Sequence, residues 1–422
     1  MEASFLTTPT RASFTTSHKA IWYGVLLAAT ALLVPSLRAQ RTTPQPDAHR
    51  LQAIRARMQQ AVDSGYMAGI VTLVTQHGKI IQSSAVGMQD REANLPMRED
   101  SIFQLMSMTK PFTAVAMMIL VDEGQISLND EVQKYLPEFR NQKLDVNGTL
   151  KAPSRPVRIS DLLTHTSGMH HVPQGAMTGI HHLLNHTLAE AVAEYGTEPL
   201  QTEPGTHVAY SNMGFATAGR IIEVVSRQPF ESFIESRILK PLQMNDTFFI
   251  PPADKTKRVA IVYTHKDGKL VAGSPETQGG DPKLFRQGAK YAGPEFALFS
   301  TARDLAHFYQ MMLDGGTWNG VHILSPAAVE TMTQPLTTAA LPADRPTDYG
   351  ISWNVVTKPL GTLAMVPIGS YGHAGAFGTF AILIPQRDIA EIFLTACDGS
   401  ECDKTVRDVF QQMVAASLPR VK

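Results

Sequence analysis

Net charge, cysteine and long apolar runs are all scarce in this 422-residue chain, and each scarcity excludes a class of protein. Because 37 basic and 38 acidic residues leave a formal charge of -1, nothing electrostatic points to a nucleic-acid partner. Hydrophobic residues make up 43% of the chain, which excludes a disordered protein. The chain also lacks a G-x-S-x-G stretch, which disfavours an α/β-hydrolase.

The only cysteines are Cys397 and Cys402. Without further Cys or His partners, this C-x4-C spacing is poor evidence for a metal site. Two cysteines that bracket a turn can pair in an exported protein. The alternative is two free thiols, because spacing alone does not fix the geometry that a disulfide needs.

The N-terminal segment has the layout of a secretory signal. Basic residues precede an apolar run over residues 20–34, and small and polar residues follow it. We therefore predict a signal peptide over residues 1–40 and a secreted or periplasmic protein. The alternative is an uncleaved anchor, and only then would the protein contact a membrane, although the run is short of the about 20 residues that span a bilayer. Leu37 is a poor residue before a cut after Ala39, so the cleavage point stays open.

The remaining chain, residues 41–422, is predicted to be one catalytic unit of the α/β (α+β) class. Strand-like segments lie near both ends, and residues 128–294 look helical or loop-like with little β alternation. This pattern predicts an antiparallel sheet flanked by helices and built from both termini. An α/β lobe would comprise residues 45–125 and 295–420, and an inserted helical lobe residues 126–294. Near the C-terminus, strands are expected over residues 349–353, 364–368, 378–384 and 389–395.

The most informative stretch is Ser107-Met108-Thr109-Lys110. Residues three apart share one face of a helix, and the apolar run over residues 112–120 predicts a buried element that ends near Gly124. At such a helix start, the Ser107 hydroxyl would lie at the positive end, and the Lys110 amine could take its proton. Taken alone, the pattern also fits a capping serine with an exposed lysine.

Two further motifs follow in order, Tyr210-Ser211-Asn212 and His373-Ala374-Gly375. The series S-x-x-K, Y-x-N, H-x-G resembles the β-lactamase-related serine hydrolases, a family that holds class C β-lactamases, DD-peptidases and family VIII esterases. Residues 162–169 (LLTHTSGM), 204–223 and 299–316 resemble other segments of the same family. The resemblance extends over residues 50–415.

The resemblance implies that Ser107 is the nucleophile and that Lys110 and Tyr210 act together on it. A lysine must be partly neutral to accept a proton, and a phenol, with a usual pKa of about 10, needs cations beside it. The sequence leaves open which of the two is the base. Asn212 is expected to orient a substrate carbonyl or the lysine. Outside this context, Tyr210 would be interpreted as a buried tyrosine and Asn212 as a turn residue.

The resemblance also implies that the H-x-G segment lines the substrate cleft. We expect His373 to donate to a substrate carboxylate or to Tyr210, and Gly375 to let substrate approach the backbone. The N–H groups of Ser107 and Ala376 would form the oxyanion hole. Many β-lactamases have a lysine in place of His373. This chain should therefore bind a β-lactam carboxylate more weakly than they do, and more strongly as His373 protonates.

Histidines crowd residues 165–186, and His182 and His186 could face one way on a helix, as zinc ligands do. No H-E-x-x-H is present and no carboxylate sits at ligand spacing, so we expect neither a metal nor another cofactor. His165, within T-H-T-S-G, is expected to brace a loop behind the cleft.

Together these observations predict an exported serine hydrolase that forms an acyl-enzyme on Ser107. Its substrates would be small-molecule esters or amides, or peptidoglycan D-alanyl peptides; β-lactams are a third class. Esterase or peptidase activity is expected to exceed β-lactamase activity. The alternative is a non-catalytic relative that binds peptidoglycan or acyl ligands or serves as a scaffold, although the intact motifs argue against it.

Overall fold

A computed structural model describes residues 45–273, 282–283, 286–342, 344–399, 402 and 404–419. The predicted signal peptide lies outside these residues. Apolar residues at helical spacing form the buried side of the first helix, for which Asp47 is the N-cap. The helices are α1 (Ala48–Asp63), α2 (Lys110–Asp122), α3 (Ile159–Leu163), α4 (Ile180–Leu183), α5 (Leu188–Tyr195), α6 (Asn212–Ser226), α7 (Phe230–Ile234), α8 (Ala302–Leu313), α9 (Pro326–Thr333) and α10 (Lys404–Ser417).

Most of the longer strands join one antiparallel sheet. The strands are β1 (Gly69–Gln76), β2 (Lys79–Asp90), β3 (Leu95–Pro96), β4 (Phe103–Gln104), β5 (Leu144–Val146), β6 (Thr149–Lys151), β7 (Tyr263–Lys266), β8 (Lys269–Ala272), β9 (Phe299–Ser300), β10 (Thr317–Trp318), β11 (Val321–His322), β12 (Thr347–Tyr349), β13 (Asn354–Val356), β14 (Tyr371–Ala374), β15 (Phe380–Ile384), β16 (Ile389–Thr395) and β17 (Cys397–Asp398). Within the described residues, the main sheet has the order β12-β13-β14-β15-β16-β1-β2-β3. The predicted antiparallel sheet flanked by helices is thereby confirmed.

Strands from the two ends of the chain meet in the middle of this sheet. β1 pairs with β16, and Leu73 lies opposite Ile392. On one face, α1 and α10 close a core that includes Ile54, Phe393 and Phe410. The opposite face packs against α8 and joins the main core. The sheet is covered on both faces, so its central strands β1 and β16 are buried on both sides.

Helix α2 is buried from Lys110 to Leu120. It packs against α6, and Phe112 stacks on Phe308 of α8 at 3.9 Å between ring centroids. The predicted helix end is confirmed, because α2 stops at Asp122 and Gly124 follows with a φ of +68°. The first residue of this buried helix is Lys110, so the fold carries an amine into the core.

Several predicted element boundaries are wrong. Residues 350–353 form the turn between β12 and β13, in which Ser352 has a φ of +67°. Residues 364–368 form a loop rather than a strand. Pro367 has no backbone N–H, so it cannot donate a hydrogen bond to a neighbouring strand. Val366 is buried against Val356 and Ile382, which explains the apolar signal there. Residues 128–294 also contain the hairpins β5–β6 and β7–β8.

Two smaller expectations concern the C-terminal region and the membrane. Cys397 and Cys402 form a disulfide, with their Cα atoms 5.9 Å apart. Across the described part of the chain, no helix is both long enough and apolar enough to span a membrane.

Candidate active site

Ser107 lies on a tight turn that leads directly into α2. Residues Met106–Thr109 form a 3-10 helix, and Lys110 begins the α-helix one turn after the serine. Met106 has a φ of +50°, which is costly for a residue with a side chain. The strained residue next to Ser107 indicates that the surrounding packing fixes this turn. Ser107 itself is only partly buried, so its hydroxyl is within reach of a substrate.

Lys110 is fully buried and has three hydrogen-bond acceptors around its amine. Nζ lies 3.0 Å from Ser107 Oγ, 2.8 Å from Asn212 Oδ1 and 2.9 Å from the backbone oxygen of Glu295. Burial lowers the pKa of Lys110 to about 7, although the negative charge of Glu295 acts in the opposite direction. The amine is therefore partly neutral near neutral pH, as a proton acceptor must be.

Tyr210 and Asn212 reach the lysine from the start of α6. Ser211 caps this helix by accepting the Gly214 N–H at 2.9 Å, and this cap fixes the residues on either side of it. Lys110 Nζ lies 4.8 Å from the centre of the Tyr210 ring. Burial raises the pKa of Tyr210, opposed by a hydrogen bond with Ser107, so Tyr210 keeps its phenolic proton.

His165 supports the Tyr210 segment from behind. Its ring centroid lies 4.2 Å from that of Tyr210, and its Nδ1 accepts the Ser211 N–H at 3.1 Å. Burial holds the pKa of His165 well below its usual value, with a further contribution from Lys110. A neutral imidazole packed under the tyrosine agrees with the bracing role expected from the sequence.

His373 lies on β14, where burial and the charge of Lys110 lower its pKa to about 3. Its Nδ1 donates to the Ala374 carbonyl at 2.7 Å, so the neutral ring presents Nε2 as an acceptor. The expectation that His373 gains charge in the working pH range is therefore wrong. The same geometry excludes its neutral form as a donor to a substrate carboxylate.

The two residues after Ala374 have different surroundings. A Cβ on Gly375 would lie 2.2 Å from the Leu105 carbonyl oxygen and 2.2 Å from Thr379 Oγ1. Gly375 is thus needed for the close approach of this segment to the turn that carries Ser107. That it also lets substrate approach the backbone stays a prediction. Ala376 is exposed in the turn that follows.

Glu295 is the site residue that the sequence did not reveal. It is fully buried, and its Oε1 lies 2.9 Å from both the Tyr291 hydroxyl and His181 Nε2. Nothing in G-P-E-F distinguishes such a carboxylate from an exposed loop glutamate, because its partners come from distant segments.

The described residues contain no group of three or more His, Cys, Asp or Glu side chains that could hold a metal ion. His182 is exposed, and His186 pairs with Glu190 at 3.9 Å.

Comparison with known proteins places the chain in a family. Residues 54–414 match the family model for Beta-lactamase. Esterase EstB of Burkholderia gladioli is 34% identical over 226 residues, which cover 51% of this chain and 54% of EstB. A putative D-alanyl-D-alanine carboxypeptidase of Escherichia coli O157:H7 is 28% identical over 372 residues, 82% of each chain. The structure of EstCE1, a hydrolase with promiscuous acyltransferase activity, is similar in fold, with a TM-score of 0.74 at 23% identity over 87% of this chain and 99% of EstCE1.

Proposed function

The chain belongs to the Beta-lactamase family and is a serine hydrolase, and from this premise we propose that it cleaves esters or amides through an acyl-enzyme on Ser107. The observation that carries the proposal is the buried amine of Lys110, 3.0 Å from Ser107 Oγ and partly neutral near pH 7. An amine in this state can take the serine proton as the hydroxyl attacks a carbonyl.

The three acceptors around Lys110 determine which neighbour can give it a proton. An ammonium group can donate to all three of them, Ser107 Oγ, Asn212 Oδ1 and the Glu295 carbonyl. When Lys110 loses one proton, its lone pair needs a donor. An amide oxygen and a backbone carbonyl have no proton to give, so the Ser107 hydroxyl is the one neighbour of the three that can turn and donate.

The proposed reaction then runs in two halves. Ser107 Oγ bonds to the substrate carbonyl carbon while its proton passes to Lys110, and the carbonyl oxygen takes up negative charge. The N–H groups of Ser107 and Ala376 are proposed to stabilise that charge, and such donors typically contribute about 3 kcal/mol each. As the bond to the leaving group breaks, the Tyr210 phenol passes a proton to it and regains one from Lys110. Water then cleaves the acyl-enzyme by the same path in reverse.

We propose uncharged esters as the preferred substrates. A neutral His373 that presents an acceptor offers no positive charge to a carboxylate of the kind that β-lactams and D-alanyl peptides carry. The similarity to Esterase EstB favours the same reading. Peptidase activity is the second candidate, favoured by the similarity to the putative D-alanyl-D-alanine carboxypeptidase.

We further propose that the protein is exported and that residues 126–294 form a lobe of their own. Export rests on the basic, apolar and small-residue order of residues 1–40. The proposal of a lobe rests on the chain order, because α3 to α7 lie between β3 and β12, two strands of the main sheet.

A substrate panel tests the proposed function. Short-chain p-nitrophenyl esters, a D-Ala-D-Ala peptide and nitrocefin are assayed with the wild-type protein and with Ser107→Ala. We expect the highest kcat/KM on the esters, and no turnover of any substrate by the variant. A higher kcat/KM on nitrocefin would contradict the substrate ranking, and turnover by Ser107→Ala would contradict the mechanism.

A further inference from the structure

Glu295 presents two different groups to the same region of the site. Its backbone carbonyl accepts a hydrogen bond from Lys110 Nζ at 2.9 Å. The carboxylate of the same residue is fully buried, and its negative charge acts to raise the pKa of Lys110. A buried carboxylate is costly unless it is paired or hydrogen-bonded, so the partners of Glu295 determine how this carboxylate is held in the core.

Polar partners hold the carboxylate in one position. Oε1 accepts a hydrogen bond from the Tyr291 hydroxyl at 2.9 Å and lies 2.9 Å from His181 Nε2. Oε2 is buried and has no partner among the described residues. One oxygen is thus anchored, and the charge of the group is only partly satisfied by its neighbours.

The backbone around Glu295 is anchored as well. Arg286 donates to the carbonyl oxygens of Phe249, Tyr291 and Ala292 at 3.3, 2.6 and 3.2 Å. Thr113, one turn along α2 from Lys110, donates to the Pro294 carbonyl at 2.6 Å. The segment that carries Glu295 is therefore tied to the helix that carries Lys110, which fixes the distance between the two charges.

The other ionisable groups around this pair differ in their effect. The imidazoles nearest Lys110 are kept neutral at working pH because burial lowers the pKa of each: His165, His171 and His373. Tyr210 stays protonated. The ionisable groups around Glu295 are His181 and Tyr195 from other elements, and Arg286 and Tyr291 from its own segment. Within the described residues, Glu295 is the carboxylate whose charge acts on Lys110.

We propose that Glu295 is a positioning residue, whose buried negative charge, held by His181 and Tyr291, stabilises the ammonium form of Lys110 and so sets the pH at which Ser107 is activated. The inference rests on the proposed function of Lys110 as the base. Burial alone would lower the pKa of Lys110 further, and the charge of the carboxylate opposes that effect. A fixed charge in a water-poor site acts strongly because little solvent screens it.

The test compares Glu295→Gln with Tyr291→Phe. The first variant removes the charge and keeps the shape and the backbone carbonyl, whereas the second removes one hydrogen bond to the same oxygen and keeps the charge. The acid limb of kcat/KM against pH reports the base of the free enzyme. We expect Glu295→Gln to shift this limb to lower pH by about one unit, and Tyr291→Phe to leave it within about 0.3 units.

Thermal melting establishes that each variant is folded. Glu295→Met, which is uncharged and of similar length, replaces the glutamine variant if that one does not fold. A limb that coincides with wild type in the uncharged variants would overturn the inference. Equal shifts in Glu295→Gln and Tyr291→Phe would overturn it too, since the cause would be the lost hydrogen bond.

A second readout separates this inference from the proposed function. In protein labelled with 13C at the lysine ε-carbon, Lys110 is assigned by loss of its resonance in Lys110→Met and then titrated. The midpoint should fall by about one unit in Glu295→Gln. An unchanged midpoint contradicts the role of Glu295 even if the enzyme is active. A lowered midpoint in a protein without Ser107-dependent turnover would support that electrostatic role and contradict the proposed function instead.

Discussion

Burial acts in opposite directions on the two side chains nearest Ser107. It lowers the pKa of Lys110 to about 7 and raises the pKa of Tyr210 because in both cases it disfavours the charged form. The outcome is an amine that is partly neutral near pH 7 and can accept a proton, and a phenol that keeps its proton and can donate it. We infer that Lys110 is the base and that Tyr210 completes the path to the leaving group.

Lys110→Ala and Tyr210→Phe test this division of labour. Each should lower the acylation rate by at least about a hundredfold, the usual scale of acid–base catalysis, and the double variant should lose less than the product of the two effects, because the residues act as a unit. Stopped-flow acylation with a p-nitrophenyl ester measures the rates. In Tyr210→Phe the rate should still rise with pH through about 7, as Lys110 deprotonates; loss of that rise would assign the base to Tyr210.

At the scale of elements, the site depends on a contact between the end of β14 and the turn before α2. Thr379 Oγ1 donates to the Leu105 carbonyl at 3.0 Å, and Gly375 passes beside the same carbonyl with no room for a Cβ. This contact sets the spacing between Ala376 and Ser107, whose N–H groups are the proposed oxyanion hole.

Gly375→Ala should therefore reduce activity more than stability. The added Cβ forces the two segments apart, and overpacking of this kind costs about 1–3 kcal/mol, while a misplaced oxyanion donor can lower kcat by about a hundredfold. Gly175→Ala is the matched control, because the nearest atom to its Cβ would be 3.5 Å away. Steady-state kinetics and thermal melting of both variants decide this. Full activity in Gly375→Ala would show that the contact does not set the geometry.

The sequence predicts some elements of the fold and misses others. Periodic apolar residues predict α1, and continuous apolar runs predict α2 and β16, because one or both faces of these elements are buried. Residues 364–368 look like a strand in the sequence because Val366 is apolar, but it is a loop that buries Val366 against the sheet.

The motifs predict the grouping of Ser107, Lys110, Tyr210 and Asn212, which the structure brings together. Glu295 escapes prediction because its contacts to His181 and Tyr291 exist only in the folded chain.

At the scale of the whole molecule, a central strand of the main sheet carries a buried acid, Glu391. Glu391 lies on β16 between Val74 of β1 and Ile382 of β15. Burial raises its pKa to about 8, with an opposing effect from Arg387. Because the folded protein binds this proton more tightly than the unfolded chain, Glu391 favours folding most below its usual pKa of 4.5. That contribution falls as the pH rises to about 8.

The free energy of unfolding should therefore decline between pH 4.5 and 8 more steeply in the wild type than in Glu391→Gln. Each unit of pKa difference corresponds to about 1.4 kcal/mol. Lys110 acts in the opposite sense above pH 7, but it does so in both proteins, so their difference isolates Glu391. Urea unfolding at several pH values gives the comparison. Parallel pH profiles of the two proteins would contradict the assignment.

The most direct test of the account is the covalent modification of Ser107. Wild-type protein and Ser107→Ala are treated with a fluorophosphonate, and intact mass and peptide mapping locate the adduct. We expect one adduct on Ser107, formed faster as the pH rises through about 7, and none in the variant, which should remain folded. An adduct on another residue, or equal labelling of Ser107→Ala, would contradict the account.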